Sequence, residues 1–174
     1  MNADATPATS RRATKTAPGQ GEAYWFYGDL AILRSPDGAF PVIIEHHLGP
    51  GARAPLHVHV DVDDSFFVVT GEVAVRAGDD AFVASAGDYV SLPKGVPHTL
   101  AALGDGETVL LQTHDDVSFQ NFIRAVGVPG ERPKPDLAAM DFEAMNRIAG
   151  ETGQPVLGPP MSDEEIDAIV RASG

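Results

Sequence analysis

The chain has 174 residues, a formal net charge of -13 and no cysteine. Its length suits one domain with a sizeable core plus appended ends, and its acidity disfavours nucleic acid and anionic membrane as partners, because both are polyanions that attract Lys and Arg. Without cysteine, disulfides, thiolate ligands and cysteine nucleophiles are excluded, which leaves nitrogen and oxygen as metal donors.

Residues 1–20 contain Arg11-Arg12, but no apolar stretch follows that would make an export signal, so they read as a disordered tail. No run approaches the roughly 18 apolar residues of a transmembrane helix, and a cytoplasmic location is expected. Arg outnumbers Lys, and Ala and Gly are abundant, as in GC-rich bacterial coding. An aromatic cluster, Tyr24, Trp25, Phe26 and Tyr27, precedes a short extended segment at residues 30–34. Its Trp25 is a candidate lid for a barrel mouth, or packs on a sheet or a second subunit. The turn Ser35-Pro36-Asp37-Gly38 leads into a strand, PVIIEHHL.

Short apolar runs then alternate with Gly and Asp turns, at residues 66–70, 73–77, 81–84, 89–92 and 108–113. Many short strands at regular spacing predict an all-β antiparallel sandwich or barrel. The pattern changes at Ser118, a candidate cap for a helix with apolar face Phe119, Phe122, Ile123 and Val126, ending at Gly127. Asp136 is read as the cap of a second helix carrying Leu137, Met140, Ala144 and Ile148 up to Gly150. Ser162 with Glu165 forms a capping box for a third, over residues 163–171. The chain thus divides into a tail (1–20), a barrel (21–117) and a helical extension packed on the barrel (118–174).

The chemistry concentrates in two segments, GARAPLHVHVDVDDSFFVVTG from Gly51 and GDYVSLPKGVPHTLAA from Gly87. In a strand, residues i and i+2 share a face, so His57 and His59 can offer both imidazoles to one ion. Asp64 can add a carboxylate and His98 a third imidazole. Asp63 is turned to the opposite face by the period of two. Phe66 and Val68 alternate with Asp64 and should line the interior. His46, on the face of Ile44 and Leu48, and His114, on the face of Gln112 and Leu110, are read as cavity wall rather than ligands.

These spacings resemble the two motifs of the cupin superfamily, G-x5-H-x-H-x4-E-x6-G and G-x5-P-x-G-x2-H-x3-N. Gly51, His57, His59 and Gly71 fall on the first; Gly87, Pro93, Gly95 and His98 fall on the second. The histidine motif is not repeated, so a single-domain cupin of the quercetin 2,3-dioxygenase-like kind is the nearest resemblance. It implies a jelly-roll β-barrel (double-stranded β-helix) with short C-terminal helices. It also implies one divalent first-row metal ion per chain (Fe, Ni, Cu, Mn, Co or Zn), held by His57, His59, Asp64 and His98, and a homodimer. Ala102 stands where the family often has a non-ligating Asn, and Asp64 where it has Glu. The missing methylene withdraws the carboxylate by about 1.2–1.5 Å, against a metal–oxygen bond of about 2.0–2.2 Å. Asp64 therefore ligates if its strand sits closer to the ion, and otherwise holds a metal-bound water.

The resemblance implies dioxygenase chemistry on a flavonol or other enolisable aromatic small molecule, with O2 as co-substrate and Asp64 as the catalytic base. The same residues would serve a non-redox cupin cyclase, isomerase or lyase, or a small-molecule-binding barrel without turnover.

Overall fold

The structure, a computed structural model, describes residues 13–131 and 133–174. Residues 1–12 of the expected tail lie outside the described residues. Residues beyond them are tied down: Thr16 Oγ1 donates to the Arg34 carbonyl at 2.8 Å, and Arg34 Nη1 donates to the Gln20 carbonyl at 2.8 Å.

Ten strands follow: β1 (Glu22–Phe26), β2 (Asp29–Leu33), β3 (Val42–Leu48), β4 (Leu56–His57), β5 (Asp64–Thr70), β6 (Glu72–Ala77), β7 (Asp80–Ser85), β8 (Tyr89–Leu92), β9 (His98–Ala102) and β10 (Thr108–His114). Helix α1 (Ser118–Val126), strand β11 (Val128–Pro129), a 3₁₀ turn at Leu137–Ala139, helix α2 (Phe142–Glu151), strand β12 (Val156–Gly158) and helix α3 (Asp163–Ser173) complete the chain. The strands form two antiparallel sheets, ordered β11-β1-β2-β3-β10-β5-β8 and β12-β4-β9-β6-β7, which face each other as a jelly roll. Alternation along β5 and β6 turns Phe66, Val68, Val73 and Val75 inward, where they pack with Leu92 and Leu110 in the core between the sheets. Among the described residues no helix is long and apolar enough to cross a membrane.

The segment after Ser118 does more than pack as helices on the barrel. Strand β11 extends the larger sheet beyond β1, and β12 extends the smaller one by pairing Val156 with His57. Helices α1 and α2 close one end of the barrel, where Phe119, Phe122, Ile123 and Ala149 pack with Phe26, Ala31, Val42 and Ile44. Helix α3 instead covers the outer face of the smaller sheet, burying Ile169 against Ala74, Ala101 and Met161. Its Ser162–Glu165 capping box is present as expected.

The other two helix starts differ from expectation. Ser118 opens α1 from inside, while Asp116 Oδ1 accepts from both its N–H and its hydroxyl. Asp136 caps only the 3₁₀ turn. The backbone turns extended at Met140, and α2 restarts under Asp141, whose side chain accepts from the Ala144 N–H.

Candidate metal centre

The H-x-H segment does not run as one continuous strand. Strand β4 ends at His57, and the next residues are held by backbone bonds to the C-terminal segment and to the second motif: Val58 N to Pro155 O, Val60 N to Gly153 O, and Gly95 N to His59 O at 2.8 Å. Asp63, facing away from the interior, accepts from Lys94 N at 2.9 Å. The two motifs are therefore clamped together by His59–Gly95 and Asp63–Lys94, while β4 and β9 bring His57 directly opposite His98. Gly71, the last glycine of the first motif, has φ +78° and lies so close to Thr108 that a Cβ would sit 2.9 Å from its Cα and nearer still to its Oγ1. A side chain there would clash and would be strained by the left-handed backbone that the turn already adopts, which explains glycine at that position.

The motif places three imidazoles together. Ring centroids are 5.3 Å apart for His57–His59, 4.4 Å for His57–His98 and 5.4 Å for His59–His98. The Nδ1–H of His57 donates to the Pro55 carbonyl at 2.8 Å and that of His98 to the Val96 carbonyl at 2.9 Å. Each bond fixes the tautomer and leaves Nε2 with a free lone pair, the arrangement seen in metal-ligating histidines. Burial drives the histidine pKa values down, to about 3 for His57 and about 2 for His59, with neighbouring imidazoles adding to the effect, and lowers that of His98. All three are neutral at physiological pH, as ligation requires.

Asp64 lies among these rings. Its Oδ2 is 3.8 Å from His59 Nε2 and 3.7 Å from His98 Nε2. Two donors each about 2.0–2.2 Å from one ion can be no more than about 4.4 Å apart, so the short side chain still falls within the span of a shared ion. Gln112 Nε2 donates to Oδ2 at 2.9 Å, and Gln112 Oε1 accepts from His46 Nε2 at 2.7 Å. Burial pushes the Asp64 carboxyl up to about 7, against the opposing pull of the bonds from Gln112 and the Ser65 N–H. Burial also holds His46 neutral, with a pKa of about 4.

Among the described residues, His59 Nδ1 and Nε2, His98 Nε2 and Asp64 Oδ1 are buried with no hydrogen-bond partner. Buried polar atoms without partners are costly, and orphaned lone pairs converging from imidazole and carboxylate are what a divalent first-row cation satisfies. The donors of His57, His59 and His98 lie within 4.8 Å of one another, as do those of His59, Asp64 and His114. This buried His/Asp cluster fits a metal ion.

The centre borders an inner cavity of about 100 Å³ whose wall includes His46, His57, Asp64, Phe66, His98 and Gln112. Val68 is sealed in the core and does not reach it, and neither do His59 and His114, which sit behind its wall. From α1, Phe119 presses on this group, with ring centroids 5.4 Å from His59 and 5.1 Å from His114. In the sequence Phe119 stands out as part of an apolar helix face, with no spacing that ties it to this site. Outside lies a vestibule of about 740 Å³, which shares Tyr27, Asp29, Arg53, Pro55 and Val156 with the inner cavity. No motif marks these entrance residues. Trp25 borders neither space and instead has Lys134 Nζ 5.8 Å from its ring centroid.

A family model described as "Cupin domain" matches residues 44–114. A quercetin 2,3-dioxygenase of Bacillus subtilis (strain 168) is 31% identical over 85 residues, covering 47% of this chain and 25% of that protein's length. The chain thus matches only about a quarter of that relative. An RmlC-like cupin from Shewanella frigidimarina NCIMB 400 superposes with a TM-score of 0.52 at 20% identity, covering 60% of this chain and 91% of the other. A predicted oxalate decarboxylase from Thermotoga maritima gives 0.55 at 14% identity, covering 59% and 98%. At these identities both structures speak for the fold alone.

Proposed function

Because residues 44–114 make this chain a member of the cupin superfamily, we propose that it is a metal-dependent enzyme, a dioxygenase acting on an enolisable small molecule such as a flavonol. The observation that carries this reading is the convergence of His57, His59 and His98, whose donors lie within 4.8 Å of one another, with unpartnered buried atoms on His59, His98 and Asp64, beside an apolar cavity that a vestibule joins to the surface. His57, His59, His98 and Asp64 would hold one divalent first-row ion. When bound, such an ion supplies Lewis acidity and, if redox-active, a route for electrons to O2.

The chain's own residues supply the rest. Asp64 is the one carboxylate among the donors and, where a substrate hydroxyl comes within hydrogen-bond reach of it, would accept that proton as a general base. Gln112 and His46 hold its carboxylate in one orientation. Phe66, Phe119, Leu100 and Leu110 line the cavity and keep bulk water from the reacting atoms.

Cavity size bears on the substrate. Pockets for drug-sized ligands measure about 300–1,000 Å³, several times the inner cavity. A flavonol would place only its enol-bearing ring inside and leave the remainder in the vestibule, across the ring of Tyr27, Asp29, Arg53, Pro55 and Val156. The same tightness favours a second reading, Lewis-acid chemistry on a compact carbonyl compound as in cupin isomerases and lyases.

Oxygen uptake separates the two. Metal-loaded protein is assayed with flavonols and with compact enols, in air and under anaerobiosis. Substrate-dependent O2 consumption that disappears in Asp64→Ala supports the dioxygenase; turnover undiminished without O2 replaces it with the second reading.

A further inference from the structure

The two cupin motifs contribute three histidines to the site, but the fold brings a fourth that belongs to neither. His114 ends β10, on the same inward face as Gln112, and is 2% exposed. Among the described residues, neither of its ring nitrogens has a hydrogen-bond partner. A neutral imidazole carries one donor and one acceptor, and burying both unmet is unfavourable. His46, from the adjacent strand β3, shows the contrast: its Nε2 is used by Gln112, and it belongs to the cavity wall.

The surroundings of His114 identify its missing partner. Its Nε2 lies 3.4 Å from Asp64 Oδ1, and its ring centroid 4.9 Å from that of His59. Asp64 is divided between two directions, since Oδ2 accepts from Gln112 while Oδ1 has no hydrogen bond and faces His114. The three donors of His59, Asp64 and His114 lie within 4.8 Å of one another, and His59 also belongs to the cluster with His57 and His98. Phe119 packs on both His59 and His114, so one helix residue holds the rings of both clusters.

Resting on the reading of this site as a metal centre, we infer that His114 is a fourth imidazole ligand. Its Nε2 shares the ion with Asp64 and His59, whose donors lie within 4.8 Å of its own. Closing this cluster onto that of His57 and His98 through the shared His59 gives four histidines and one aspartate, not three and one. The additional imidazole balances the short reach of Asp64 by enclosing the ion from the β10 side.

The test uses the full chain, stripped of metal and reloaded with Cu(II), as wild type, His114→Gln and His114→Ala. Metal affinity and the imidazole couplings in pulsed electron paramagnetic resonance are recorded. The expected result is one fewer imidazole coupling in both variants and at least about tenfold weaker binding. Unchanged couplings and affinity would overturn the inference and make His114 a packing residue. Wild type that binds no Cu(II) would instead remove the metal-centre reading itself. Should both variants fail to fold, wild type labelled with ¹⁵N in its histidine rings and titrated with Zn(II) decides. Four metal-shifted ring nitrogens support the assignment, and three overturn it.

Discussion

Gln112 donates its side-chain amide to Asp64 at 2.9 Å across the pairing of β10 with β5, and so fixes the one carboxylate of the site from a strand that neither motif includes. Because this bond favours the ionised carboxylate, Gln112→Leu should raise the Asp64 pKa further above its present value of about 7. Metal affinity, which needs the ionised form, should then rise to its plateau at a higher pH than in wild type. Isothermal titration across pH 5.5–8.5 measures this, and superimposable pH profiles would contradict the role given to Gln112.

Acid should destabilise the metal-free protein. Five histidines have folded pKa values below the ordinary 6.5: His46 and His114 at about 4, His57 at about 3, His59 at about 2, and His98 lowered. The stability they contribute is complete above 6.5 and is lost as the pH falls toward these folded values, by up to about 1.4 kcal/mol per pH unit for each. Asp64 and Asp29, raised by burial to about 7 and about 6, act in the opposite sense, favouring the fold below about 4 and losing that contribution as pH rises. The histidines outnumber them. Thermal melts in chelator should therefore show Tm falling from pH 6.5 to 4.5; a flat or rising Tm would contradict the buried, neutral cluster.

Phe119→Ala should cost about 3–5 kcal/mol, the range for truncating a buried aromatic. Phe119 is 7% exposed, edges against Phe26 at 5.8 Å and against His59, and lies tilted against His114. Urea unfolding measures the loss. A cost below about 1 kcal/mol would mean that α1 does not seal the barrel end.

Gly71→Ala should destabilise by about 2 kcal/mol or more, since it combines left-handed strain with a clash on buried Thr108. Urea unfolding of this variant beside wild type checks it, and a neutral effect would show that the β5–β6 turn relaxes freely.

The parts of the fold that were legible in the sequence are those with a local cause. Alternation along residues 66–70 and 73–77 and the turn glycines marked the strands, and the spacing of His57, His59 and His98 marked the cluster. Strands β11 and β12 left no such trace, because two or three residues carry no period and pair only through tertiary contact. The second helix starts later than its sequence signal, because Asp136 caps a 3₁₀ turn that ends at Met140 and Asp141 caps α2. In the sequence His46 shares a face with Ile44 and Leu48 and His114 with Gln112 and Leu110, and neither belongs to a motif. Only the partners across the strands separate the hydrogen-bonded His46 from the unpartnered His114.

The most direct test of the central claim is metal content after reconstitution with each first-row divalent ion and removal of excess, for wild type beside His98→Ala. The site described predicts about one tightly held ion per chain in wild type and its loss in the variant. No retained ion in wild type, or equal retention in His98→Ala, would contradict it.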